Sequence, residues 1–303
     1  MAITVTPIVD TTFGAIVTDV DLSSLDKKTW QQIEKAFFEY ALLLFPGQHL
    51  SADDQTAFGK RFGNIEHLTP GRTDYPSVPL SNQKPDGTVL NPDEHAFKVL
   101  RGNEGWHTDS TYMPLASKAA LLSAVVIPPA GGETEWADMR SAYDALSESM
   151  RERIEGLSAF HSLYYSQEQA GYKMETGSGY GYHTKGAPLR QVVKVHPITG
   201  RKSIYTGRHA HDIPGLSEAE SHTLLQELVD FACQPPRTYK HNWQVGDLVV
   251  WDNRCLLHRA RPYDFSQPRI VRATRIAGDP EFELAETAPD KRAGDYQPGA
   301  SNQ

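Results

Sequence analysis

Apolar residues recur along this chain in two rhythms. Residues 25–44 place Trp30, Ile33, Phe37, Tyr40 and Ala41 near a three-to-four spacing, which predicts an amphipathic helix ended by Phe45-Pro46-Gly47-Gln48. Ser51 with Asp54 three residues on predicts a capped helix running to about 61. A third helix is expected over 141–156, and Ser217 with Glu220 opens a fourth that reaches about 233. Short β-branched and apolar runs predict strands within 3–18 and at 119–127, 192–196, 203–206, 237–241, 248–251 and 270–276. Pro128-Pro129 ends the 119–127 strand, and Gly131-Gly132 turns into a further strand at 134. Two stretches carry no regular rhythm: 63–105, with its prolines and scattered charge, and about 164–186, rich in Gly and Tyr. Both are expected as loop insertions, the first as a lid and the second as mobile. The last twenty residues are polar and expected to be loose. There is no repeat, and no composition shift marks a boundary. The expectation is one domain over 1–303, an all-β core with helical insertions.

Composition narrows the class. Of 303 residues, 39% are hydrophobic and 22% charged, which suits a globular chain with a sizeable core. A net charge of -8 argues against a nucleic-acid surface and against a polybasic membrane patch. The start, MAITVTPIVDTTFG, lacks the basic and apolar regions of a signal peptide, and the apolar run 41–45 is too short to span a bilayer. Cys233 and Cys255 make no disulfide framework, so a cytoplasmic protein is expected. The expected partner is a small molecule, neither nucleic acid nor membrane, and a homo-oligomer is compatible with all of this.

The chemistry concentrates at two places. His107 and Asp109 are two apart, so on an extended segment they project to one side. His258, arriving from a distant strand, would complete three ligands on one face of a metal. Two histidines and one carboxylate with open positions form the facial triad of non-haem iron(II) oxygenases. Any His-x-Asp alone is a weak signal. Arg269 strengthens it: eleven residues after His258, it is a permanently charged fork suited to a carboxylate. Iron ligands with a carboxylate clamp suggest an oxygenase that consumes a 2-oxo acid. Cys255 and His258 could otherwise be half a zinc site, but no Cys-x-x-Cys partner exists. No Gly-x-Ser-x-Gly elbow, phosphate loop or His-Glu-x-x-His helix occurs.

With WHTDSTY at 106–112, GGETEWADMRSAYDAL at 131–146, GRKSIYTGRHAH at 200–211, WDNRCLLHRA at 251–260 and RIVRATRIAGD at 269–279, the chain resembles the taurine and 2,4-dichlorophenoxyacetate dioxygenases. FGAIVTDVDL at 13–22 and LLLFPGQHL at 42–50 extend the likeness over nearly the whole length. GWHTDSTYMP at 105–114 and DFACQPPRTY at 230–239 bring it nearest the (S)-phenoxypropionate type. The resemblance implies a double-stranded β-helix, the cupin-like jelly roll. It implies iron(II) held by His107, Asp109 and His258, with 2-oxoglutarate and dioxygen as cosubstrates. It assigns Thr134 and Arg269 to the distal carboxylate of 2-oxoglutarate and Arg272 to the cosubstrate or an anionic substrate, and places Asn103, Tyr112, Arg208 and His209 at the substrate. The implied reaction forms succinate and carbon dioxide while hydroxylating a small organic anion, an aryloxyalkanoate ahead of a sulfonate or alkyl sulfate. Retention of Asp109 implies hydroxylation rather than halogenation. Two other classes remain open: a hydrolase or isomerase using a metal-bound water, which leaves Arg269 and Thr134 unexplained, and a binding module with a degenerate site.

Overall fold

Leu42–Phe45 and Leu248–Trp251 are apolar and buried at every position because both faces of the central sheet are covered there. In the computed structural model, which describes residues 3–297 apart from 70, 72, 73 and 75, eight strands form this sheet. Its order is Thr4–Pro7, Ala15–Thr18, Leu42–Phe45, Leu248–Asp252, Ser117–Val126, Ile270–Ala277 and Ile65–Glu66, with Val78–Ser81 also pairing to Ile270–Ala277. A three-stranded sheet, Thr238–His241, Thr134–Asp138 and Leu256–Ala260, faces it. The four-stranded sheet Ala210–His211, Ser158–His161, Ala187–Gln191 and Thr287–Ala288 and a two-stranded ribbon complete the architecture, which is sheet-rich with helices.

The period of two along each strand sorts side chains into layers. Leu43 and Phe45, Leu121, Leu248 and Val250, and Ile276 face outward under the helices, packing with Ile33, Phe37 and Phe58. Leu42 and Leu44, Leu122, Val249 and Trp251, and Val271 and Ala273 face inward. They meet Trp136, Trp243 and Leu256 on the three-stranded side. Trp136 and Trp251 pack edge to face at 5.7 Å; such a pair adds about 0.5–1.5 kcal/mol beyond burial. Behind the smaller sheet, Ala137 and Leu257 pack on Leu224 and Leu228 of the helix Glu218–Ala232, whose Ser217 and Glu220 form the expected capping box.

Several expected boundaries shift. The helix expected over 25–44 is Lys27–Tyr40, capped by Asp26, and Ala41 leaves it with φ 61°. The apolar run after it is a fully buried strand, antiparallel to Leu248–Asp252 and parallel to Ala15–Thr18. The helix expected over 141–156 is two, Met139–Ala145 and Glu148–Ile154, because Leu146 is extended and Ser147 caps anew. The irregular stretch 63–105 contains two short strands and the helix His95–Gly102; pairs such as Ile65–Glu66 are ordered by a partner strand rather than by local propensity. The segment expected as a loop over 164–186 begins as the helix Leu163–Gln169. The tail expected to be loose is partly tied down, since Thr287–Ala288 pairs with Ala187–Gln191 and the Tyr296 hydroxyl donates to the Thr287 carbonyl at 2.9 Å; positions 70, 72, 73 and 75 of the first stretch and 298–303 of the tail lie outside the described residues.

Candidate active site

The segment around His107 reaches Leu256–Ala260 through one isolated bridge. His107 N–H donates to the His258 carbonyl at 2.9 Å, and His258 N–H returns to the His107 carbonyl at 2.8 Å. This pairing brings ligands 151 positions apart together, their rings 4.1 Å centre to centre. Ser110 then turns the chain with φ 55°, leaving Asp109 on the same side as His107. Donor atoms of His107, Asp109 and His258 all lie within 4.8 Å of one another.

The donor set suits a divalent metal. His107 Nδ1 is 2.8 Å from the Gly105 carbonyl, so a proton there leaves Nε2 as the lone-pair donor. His258 Nε2 points toward Asp109 Oδ2 at 3.7 Å, and its ring lies 4.8 Å from Trp251. Burial holds the His258 imidazole down to about 4, against a weaker upward pull from Asp109. Burial, then the neighbouring His258, likewise keeps His107 well below the usual range. Both are neutral at physiological pH, the form that ligates. Asp109 also accepts from Arg275 Nη2 at 2.6 Å.

A cavity of about 60 Å³ opens from the triad toward Thr134 and Arg269. Arg269 is 6% exposed and forms no ion pair among the described residues. Its Nε donates to the Gly132 carbonyl at 3.0 Å, leaving the rest of the fork for a ligand. Gly132 has to be glycine: its φ is +72°, and a Cβ would lie 2.9 Å from that Nε. The Thr134 oxygen accepts from Trp243 Nε1 at 3.0 Å, so its own proton is free to point into the cavity. A buried unpaired guanidinium facing a free hydroxyl is a seat for a carboxylate.

The structure does not place Arg272 there. Three steps from Arg269, it lies on the opposite face of the strand, where its Nη1 donates to the Leu50 carbonyl at 3.0 Å. The inward positions are Val271, Ala273 and Arg275, and Arg275 joins Arg269 in the cavity wall. Asn103, Tyr112, Arg208 and His209 do come together, around a second cavity that shares Asn103, His107 and Arg275 with the first. Arg208 donates to the Ser166 carbonyl at 2.9 Å and to Gln167 Oε1 at 2.6 Å, and burial brings it down to about 10. His209 Nδ1 meets the Ser166 hydroxyl at 2.8 Å, its ring 5.7 Å from His107 and 4.9 Å from Tyr112.

Residues 4–275 match the family described as taurine catabolism dioxygenase TauD, TfdA family. This chain belongs to that family. A (S)-phenoxypropionate/alpha-ketoglutarate-dioxygenase of Sphingobium herbicidovorans is 52% identical over 282 residues, 91% of this chain and 96% of that protein. An alpha-ketoglutarate-dependent 2,4-dichlorophenoxyacetate dioxygenase of Cupriavidus pinatubonensis is 39% identical, over 88% of this chain and 95% of its own. The crystal structure of AAD-2 in complex with Mn(II) and N-oxalylglycine superposes with a TM-score of 0.81 at 36% identity, over 92% of this chain and 98% of that one. The resemblance read from the motifs is therefore borne out. The protein is a 2-oxoglutarate-dependent dioxygenase that uses iron(II), 2-oxoglutarate and dioxygen. Among its described residues, no helix is long and apolar enough to cross a membrane.

Sequence reasoning missed four side chains of this dioxygenase's site. Arg275 was signalled by its even spacing from Arg269 along a strand. Glu66, Tyr180 and Tyr182 sit in the two stretches without rhythm, and no local signal marks them. Glu66 is 5% exposed and accepts from Ser110 Oγ at 2.9 Å. Burial lifts its carboxyl to about 7, although Arg275 and the hydroxyls of Tyr180 and Ser110 pull it down.

Proposed function

We propose that this dioxygenase is a single-domain jelly-roll enzyme that cleaves the ether bond of an aryloxyalkanoate such as a phenoxypropionate. His107, Asp109 and His258 would hold the iron. Arg269 and Thr134 would bind the distal carboxylate of 2-oxoglutarate, the guanidinium by its free fork and the threonine by its hydroxyl. Bound together, iron, 2-oxoglutarate and dioxygen supply an oxidation that inserts one oxygen into a substrate C–H bond and leaves succinate and carbon dioxide. Where that carbon carries the aryloxy oxygen, the product is a hemiketal. Its collapse releases a phenol and a 2-oxo acid.

One observation carries the substrate class. Arg275 stands where the two cavities meet, and beyond it the second cavity is walled by Tyr112, Leu163, Tyr180 and Tyr182. A small molecule with a carboxylate at one end and a ring at the other matches a guanidinium beside the iron and an aromatic chamber past it. The 52% identity to the phenoxypropionate enzyme supports the same class. Tyr112 reaches Arg275 Nη1 with its hydroxyl at 3.5 Å, so the chamber's floor and its cation are held as one unit. Free Cys233 and Cys255 suit a reducing compartment, and the cytoplasm is the proposed location.

The test is a substrate panel under iron(II), 2-oxoglutarate and air, reading succinate and phenol. Both enantiomers of 2-phenoxypropionate, phenoxyacetate, taurine and an alkyl sulfate form the panel. Phenol and succinate in equal amounts from an aryloxyalkanoate are expected. Succinate from taurine or the sulfate alone would replace the substrate class, and no succinate from any member would sink the reading.

A further inference from the structure

The second cavity ends at a strap of chain, residues 176–183, and on the far side of that strap lies another cavity. Tyr180 and Tyr182 line both. The strap is folded on itself, with Gly177 N–H donating to the Tyr182 carbonyl at 2.7 Å. It lies directly on the substrate chamber: at Gly181 (φ +87°) a Cβ would be 2.5 Å from the Tyr112 ring and 2.6 Å from Leu163.

Tyr180 is fixed from two sides. Its hydroxyl donates to Glu66 Oε1, and Arg275 lies 5.8 Å over its ring. Glu66 is itself fixed, because it pairs with Arg275 in strand register and its other oxygen accepts from Ser110. A buried carboxylate donated by one irregular stretch thus pins an aromatic ring donated by the other. The far cavity is bounded by Ile65, Met113, Leu115 and Ala277, side chains that could accept an apolar group.

We propose that Tyr180 sets the length of substrate this enzyme accepts, and that Glu66 is the positioning residue holding it as the partition between the two cavities. Removing the ring joins the chambers, and an aryl substrate extended at the end remote from its carboxylate then gains room. This rests on the aryloxyalkanoate reading. In an apolar pocket each accommodated methylene is worth about tenfold or more in kcat/KM.

The experiment compares 2-phenoxypropionate with its para-butyl analogue in wild type, Tyr180→Ala, Glu66→Leu and Glu66→Gln. It measures kcat/KM from succinate and phenol, and dissociation constants without turnover under anaerobic conditions. Tyr180→Ala is expected to raise the long-to-short ratio about tenfold or more in both measurements. Glu66→Leu moves it the same way, because the hydroxyl loses its acceptor. Glu66→Gln still accepts that hydrogen bond and keeps the wild-type ratio, which a general loss of packing would not do. If Tyr180→Ala does not fold, Tyr180→Leu carries the same expectation. An unchanged ratio in the Tyr180 variant, or Glu66→Gln shifting as far as Glu66→Leu, overturns the proposal. Wild type that turns over alkyl sulfates and neither aryl compound sinks the substrate class instead; hexyl and dodecyl sulfate then test the partition, with the same shift expected.

Discussion

Replacing Arg269 with alanine separates the cost of losing a ligand's partner from the cost of losing structure. In the protein without cosubstrate the buried guanidinium has no ion-pair partner among the described residues; its Nε donates to the Gly132 carbonyl, and it lies 5.7 Å over the Tyr263 ring. Truncation forfeits that bond, about 1 kcal/mol, and relieves the burial of a lone charge, so the melting temperature should barely move. With 2-oxoglutarate the balance changes. The cosubstrate carboxylate would be left in the same cavity facing only the Thr134 hydroxyl. Breaking a buried pair from one side costs about 3–5 kcal/mol, roughly two to three and a half orders of magnitude in affinity. The assay is thermal unfolding with iron(II) under anaerobic conditions, with and without 2-oxoglutarate. At a hundred times its Kd the cosubstrate stabilises wild type by about 2.7 kcal/mol, and the same concentration should give the variant about 0.3 kcal/mol or less. Arg272→Ala is the internal control. Its side chain serves the Leu50 carbonyl on the opposite face, so the 2-oxoglutarate shift should match wild type. An Arg269→Ala protein that keeps the full shift, or an Arg272→Ala protein that loses it, refutes the assignment.

Asp109→Ala should abolish metal binding in a metal titration. It should also destabilise the metal-free protein by about 3–5 kcal/mol in denaturant, since it strands Arg275 without its 2.6 Å partner. Thr134→Val should weaken 2-oxoglutarate binding and cost stability of about 1–3 kcal/mol, because Trp243 Nε1 loses its acceptor; Thr134→Ser restores both, and failure of that rescue would place the threonine's role in packing. One part of the pH dependence of the metal-free protein comes from His258, whose folded value of about 4 lies below its ordinary 6.5. The unfolded chain therefore takes up the proton first on acidification. Stability is fully present above pH 6.5 and falls as pH drops toward 4, by about 3 kcal/mol in all. His258→Gln should remove that share and leave a shallower slope in denaturant midpoints read across the range, because burial also holds His107 and His209 down.

Much of this enzyme is legible without coordinates, because its strongest signals are local. His107 and Asp109 share a face by strand period alone, and Ser217 with Glu220 announces a helix from four residues. The motif resemblance fixed family, cofactor and cosubstrates, since those depend on which side chains exist at which spacing. Parity along one strand was legible too, and would have favoured Arg275 over Arg272. Tertiary structure decided the rest. The run 42–45 is a strand because two partner strands supply its hydrogen bonds, a fact absent from four residues. Glu66 and Tyr180 meet 114 positions apart, from stretches with no rhythm of their own, and only the tertiary packing brings them to Ser110 and Arg275. Local sequence sets propensity and face, whereas contacts at large separation arise from packing the layers together, and the substrate chamber is made almost wholly of such contacts.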